Sequence, residues 1–203
     1  MPLSSEFRDF YRRWTEKASK HGAANLSDYF DKYFSLFVAF NRLYAEATFI
    51  LARQGEPKLE KRKSFPDADA AKTYVLKYLG SKYYLQMLEA DQEVKQAIKE
   101  IKDLIRSHNF CIKLDMVKGN RQPEKDEELL KQLESGGFNP RAKAILDMLY
   151  SVRCNMFHGH KGFQEVQVAL LKPLSCILKA TVEILYEKLE RDDCWRAVAA
   201  DRQ

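Results

Sequence analysis

Glycine and proline are scarce in this chain, 8 and 6 of 203 residues, so few breakers interrupt it and its helices can be long. Its four cysteines, at 111, 154, 176 and 194, form no Cys-x-x-Cys pair. None stands at zinc-like spacing from a histidine, which leaves no metal site by pattern and reduced thiols as the simple reading. Thiols kept reduced fit a cytoplasmic protein. The N-terminus, MPLSSEFRDFYRRW, lacks the apolar core of a secretory signal. No uncharged apolar run reaches about 18 residues, so no membrane span is expected. The densest patch, Leu36–Phe40, is followed closely by Arg42 and Glu46. Strand-type alternation and internal repeats are also missing.

What remains is an ordinary globular balance, 45% hydrophobic and 31% charged. At 203 residues the chain fits one domain, or one with a small appendage, and can bury a core without disulfides or metal. Its net charge of +5 permits a polyanionic partner without requiring one.

The apolar residues recur at helical spacing. Residues 5–20 form an amphipathic helix with Phe7, Phe10, Tyr11 and Trp14 on one stripe, ended by His21-Gly22. Ser27 is the expected cap of a long helix that runs to about Gln54, with Gly55 at its end. Residues 55–66 form a basic loop, and Asp67 or Asp69 caps a helix running to Gly80. Short helices at 82–90 and 124–134 flank a longer one from Asp91 to about His108, whose Val94, Ile98, Ile101 and Ile105 recur every third or fourth residue. Asn139 is the expected cap of a helix with Pro140 in its first turn. A last helix spans about 164–190, kinked at Pro173, with a frayed tail from Arg191. The expectation is an all-α bundle of long antiparallel helices with short accessory helices. The helices from 27, 139 and 164 should be its core, and 56–138 an insertion or helical elaboration upon it.

The helix from 139 ends in the densest chemistry of the chain, Arg153-Cys-Asn-Met-Phe-His158-Gly-His-Lys161. An arginine can grip a phosphate and a histidine can move a proton, which together suit metal-free RNA cleavage. Spacing alone is weak evidence, because an Arg followed four to six residues later by a His arises by chance about once in such a chain. The bland alternative is an arginine and a capping histidine favouring a helix C-terminus. Arg153 and His158 lie about 140° apart on an ideal helix, so they converge only if the last turn loosens, as Gly159 and Gly162 permit. The helix C-terminus favours an imidazolium at His158, which suits a proton donor to a leaving oxygen.

These nine residues resemble the Arg-x(4–6)-His signature of HEPN domains, and more narrowly the subgroup reading Arg-x-Asn-(aliphatic)-Phe-His-Gly-x-Lys. Upstream, Phe34-Ser-Leu-Phe37-Val-Ala-Phe40-Asn41-Arg-Leu-Tyr44 is similar to the aromatic-rich Phe-Asn-x-x-Tyr helix of such proteins. The two segments stand in the family's order, and the likeness covers roughly 27–55 and 139–190. The resemblance implies one all-α domain over 1–203 that dimerises, with the two Arg/His motifs facing each other in a shared active site. It implies a metal-independent endoribonuclease needing no cofactor, with RNA as substrate, in prokaryotic defence or a toxin–antitoxin pair with a neutralising partner. Arg153 and His158 would be the catalytic pair and Asn155 the polar residue between them. Cys154 stands where the family often carries a polar residue.

Other residues carry open readings. Lys161 is either a phosphate contact or a solvated lysine, and His160 is the alternative imidazole. Asn41 either braces 153–158 or holds backbone in the core, the second being the commoner case. Tyr44 reads as core, and Glu46 as a solvated face rather than a partner of Arg153. Lys58, Lys61, Arg62 and Lys63 either steer RNA or form a solvated face, the usual case for a charge run, and Glu56 and Glu60 dilute them. Two further functions stand beside the enzyme: a HEPN-type module that binds RNA or a nucleotide without cutting, and a helical protein-interaction domain.

Overall fold

The aromatic run after Asn25 folds as the spine of the molecule. In the computed structural model residues 3–22, 25–108, 110–115, 117–157 and 167–200 are described, 194–200 by backbone alone. Helix α1 (Ser5–Lys20) is capped by Ser4, whose hydroxyl accepts from the Phe7 amide at 3.2 Å. Helix α2 (Leu26–Arg53) follows. Its cap is Asn25 rather than Ser27, because the Asn25 carbonyl oxygen reaches the Asp28 amide at 3.0 Å and Leu26 is already helical and buried. Gly55, at φ +81°, turns the chain out of α2. By length and composition α2 is apolar enough to cross a membrane, and 61% of its most apolar window is buried inside the protein.

The basic loop contains one helical turn, α3 (Pro57–Glu60). The next stretch is three pieces joined end to end: α4 (Asp67–Asp69), a π-helical turn (Ala70–Tyr74) and α5 (Val75–Leu79). Pro66 occupies its cap position without a side-chain bond, so Asp67 and Asp69 lie in the first turn instead of capping it. Helices α6 (Ser81–Ala90) and α7 (Gln92–Arg106) come next, α7 being capped by Asp91. Between α7 and α8 (Pro123–Glu134) the chain makes a small antiparallel bridge, Leu114 to Arg121. Asp126 of α8 holds the front of this segment, accepting from the Ile112 amide at 3.0 Å and the Lys113 amide at 2.9 Å.

Helix α9 spans Phe138–Phe157 and α10 spans Val168–Ala200. Asn139 is therefore inside α9, and its side chain accepts from the Ser81 hydroxyl at 3.0 Å. Pro173 is accommodated within α10. Helix α10 runs on past Arg191, where a frayed tail was expected, and its Glu190–Asp193 stretch is clasped. Arg8 donates to Glu190 at 2.7 Å and to Asp193 at 3.0 Å, and Tyr78 donates to Asp192 at 2.8 Å. The expected start of this helix at 164 lies outside the described residues.

The result is an all-α bundle. Helix α10 packs chiefly against α2 and α7, α1 packs on α2, and α9 on α6 and α8. Tyr33 of α2 ties that helix to α9 by donating to the Leu149 carbonyl at 2.7 Å. Residues 56–138 are not peripheral to this core. Ala70, Val75, Tyr84, Leu88 and Ile101 share one buried cluster with α2, α9 and α10, all of them fully enclosed.

Candidate functional site

Arg153 stands in regular helix four residues before the described end of α9. The stripe of α9 that carries it also carries Asp147 and Tyr150. Its guanidinium carbon lies 5.7 Å from the ring centres of both Phe37 and Tyr150, so α2 and α9 each supply an aromatic face. Asp67 faces it at 4.0 Å, which is beyond hydrogen-bond reach, so this carboxylate balances the charge without taking a guanidinium hydrogen. Asp67 is itself fixed by Tyr44, which donates to Oδ1, and by Tyr150, which donates to Oδ2 at 2.9 Å. Burial acts against the arginine's charge, but Cys154, Asp67 and Tyr150 outweigh it, and the guanidinium is held above its already high pKa. Burial and the Asp67 bond both push the phenols of Tyr44 and Tyr150 well up, so they stay neutral donors.

Beside Arg153 a cavity of about 560 Å³ opens between α8, α9 and the segment around Lys113. That volume suits one mononucleotide-sized ligand. Four cations line it (Lys72, Lys113, Lys125 and Arg153) against two carboxylates, Glu128 and Asp147. Asp147 binds two of the lysines, Lys72 at 3.1 Å and Lys113, and Lys113 also donates to Ser151 at 2.8 Å. Burial raises the Asp147 carboxyl, but the two ammonium groups prevail and leave it below its usual range. One carboxylate against two lysines leaves this corner positive.

Asn155 also lines the cavity, yet its amide is engaged. It is buried, 4% exposed, and donates to the Ile112 carbonyl at 2.7 Å. It thus ties α9 to the segment that presents Lys113. His158, His160 and Lys161 lie outside the described residues, as does the loosening of the last turn expected at Gly159. Asn41 makes no bond to the Arg153 helix among the described residues, and its buried side-chain oxygen has no hydrogen-bond partner among them. Glu46 pairs with Arg53 at 3.0 Å and Arg42 at 3.7 Å, and its side chain is only 16% exposed, so it does not stand on a solvated face as expected. Among the described residues no group of three or more His, Cys, Asp or Glu is arranged to hold a metal ion.

The structure therefore brings Arg153 and Asn155 to one cavity and adds residues that motif reading passed over: Asp67, Lys72, Lys113, Asp147 and Tyr150. Asp147 and Tyr150 precede Arg153 by six and three positions, a helical-phase signal that the sequence does carry. Lys72 and Lys113 join only through tertiary packing. No protein-family model, curated protein or solved structure matches this chain.

Proposed function

We propose that the end of α9 is the active site of a metal-independent endoribonuclease of the HEPN type. The observation that carries the reading is the placement of Arg153. It is a fully charged guanidinium, positioned by two aromatic faces and one balancing carboxylate, beside a cavity with excess positive charge. An RNA phosphate entering there meets Arg153, Lys113 and Lys72. The ribose 2′-oxygen attacks phosphorus as the bond from phosphorus to the 5′-oxygen breaks. The products are a 2′,3′-cyclic phosphate and a 5′-hydroxyl. The 2′-OH proton leaves to a base, and His158 supplies a proton to the departing 5′-oxygen. Arg153 stabilises the negative charge that grows on the phosphoryl oxygens. His160 is the alternative imidazole, and Lys161 an added phosphate contact.

On this reading the protein works as a homodimer with a shared site, in a prokaryotic defence or toxin setting with a neutralising partner. A second reading, an RNA- or nucleotide-binding module without cleavage, draws support from Asn155, whose donor is committed to Ile112. One assay separates them. Purified protein is incubated with mixed RNA in EDTA beside Arg153→Ala and His158→Ala. Cleavage should survive chelation and fall by about a hundredfold or more in each variant. RNA binding with no cleavage under any condition would establish the second reading instead.

A further inference from the structure

Two of the largest exposed apolar side chains of the molecule touch each other. Phe49 near the end of α2 is 45% exposed and Phe65 is 42% exposed, with ring centres 5.8 Å apart. They border an open groove of about 410 Å³ that Arg62 and Lys63 also line. Lys58 and Lys61 precede these on the same loop. Asp69 holds Arg62 at 2.5 Å, Lys77 pairs with Glu56, and Glu60 is the loop's other acid, so Lys58, Lys61 and Lys63 leave the patch a positive excess. Side-chain contacts link the groove to the candidate active site. Phe65 stacks on Tyr44 at 6.3 Å with planes 13° apart, and the Tyr44 hydroxyl donates to Asp67, the carboxylate that faces Arg153.

We propose that Phe49 and Phe65, flanked by Arg62 and Lys63, form a stacking platform for an unpaired base of the RNA strand whose phosphate lies at Arg153. Exposed aromatic faces beside lysine and arginine are what single-stranded RNA requires, since every base has a face to stack and every nucleotide a phosphate to pair. A second copy of this chain is the poorer occupant. A two-fold interface through this patch would set Arg62 and Lys63 against their own copies, and like charges brought together oppose association. The platform selects for strand state rather than for sequence, because duplex bases are already stacked. This inference rests on the RNA reading of the Arg153 site.

The test uses a fluorescein-labelled 2′-O-methyl oligouridylate, which cannot be cut by 2′-oxygen attack, and the matching duplex. Phe49→Ser/Phe65→Ser should weaken binding of the single strand by about tenfold or more, and Phe65→Trp should retain it. Lys63→Glu should weaken it more at low salt than at high. Single strand should bind more tightly than duplex in the wild type, and that preference should shrink in the double serine variant. Unchanged affinity in the double serine variant overturns the platform but leaves the nuclease reading standing, provided natural RNA is still cut. Binding of neither RNA by the wild type overturns both. A fall in solution mass in the double serine variant makes the patch an interface between copies and also overturns the proposal. Circular dichroism and a thermal melt confirm that each variant is folded before its binding is scored.

Discussion

Asn155 carries a structural hydrogen bond at a motif position. Its amide nitrogen donates to the Ile112 carbonyl inside the protein. Removing it leaves that buried carbonyl without a donor, which costs roughly 1–3 kcal/mol. Asn155→Ala should therefore lower the urea midpoint of unfolding, with cleavage falling because Lys113 is no longer held in place. An unchanged midpoint with abolished cleavage would return Asn155 to a direct catalytic role. Asp147 makes a second prediction at this scale. Its folded pKa lies below the unfolded value, so its contribution to stability is complete above that value. The contribution is lost as pH falls through the folded pKa. The stability gap between wild type and Asp147→Asn should be full at neutral pH and shrink below about pH 4, read by urea titration. A gap that widened on acidification would contradict the ion-pair account. Both residues are helix positions whose identity was plain in the chain and whose partners, 43 and 34 positions earlier, were not.

At the scale of elements, hydrophobic period and breakers carried most of the fold. The ends of α1, α6 and α7 fall within a residue or two of expectation, because Ser4, Gly80 and Asp91 act locally. Gly80 sits at φ +82° between α5 and α6, with nothing within 4 Å of where a β-carbon would stand. Gly80→Ala should thus destabilise the fold through backbone strain alone, by about 1–3 kcal/mol, read as a lower melting temperature with the cavity and RNA binding unchanged. A variant as stable as wild type would show that the junction tolerates an ordinary residue. The misread ends have tertiary causes. Fraying was expected from Arg191 because chain ends commonly loosen, yet Arg8 and Tyr78, both remote in the chain, pin Glu190, Asp192 and Asp193. Asp67 looked like a cap because aspartate before an apolar run usually is one. Its actual partners, Tyr44 and Tyr150, come from two other helices.

For the whole molecule, the proposed function implies that two copies share a site. If one copy supplies Arg153 and the other His158, inactive Arg153→Ala and His158→Ala proteins mixed together form mixed dimers in which one of the two sites is intact. Cleavage should return on mixing, to a substantial fraction of the wild-type rate. No recovery, with subunit exchange demonstrated by mass, would place both groups of a site on one chain. Steady loss of RNA affinity with rising salt belongs to the same scale, since the +5 charge and the cationic cavity act together.

The π-helical turn at Ala70–Tyr74 sets the angular phase between its two ends. One residue of an α-helix is about 100° of rotation. Removing one residue from that turn would restore ordinary winding and swing Asp67 round the axis relative to Lys72 and the buried face of α5. Tyr44, Tyr150 and Arg153 would then lose their common carboxylate, and the buried Ala70, Ala71 and Tyr74 of the turn would have to repack. The turn thus works as an indexing tooth, setting which side of one helix looks toward the guanidinium.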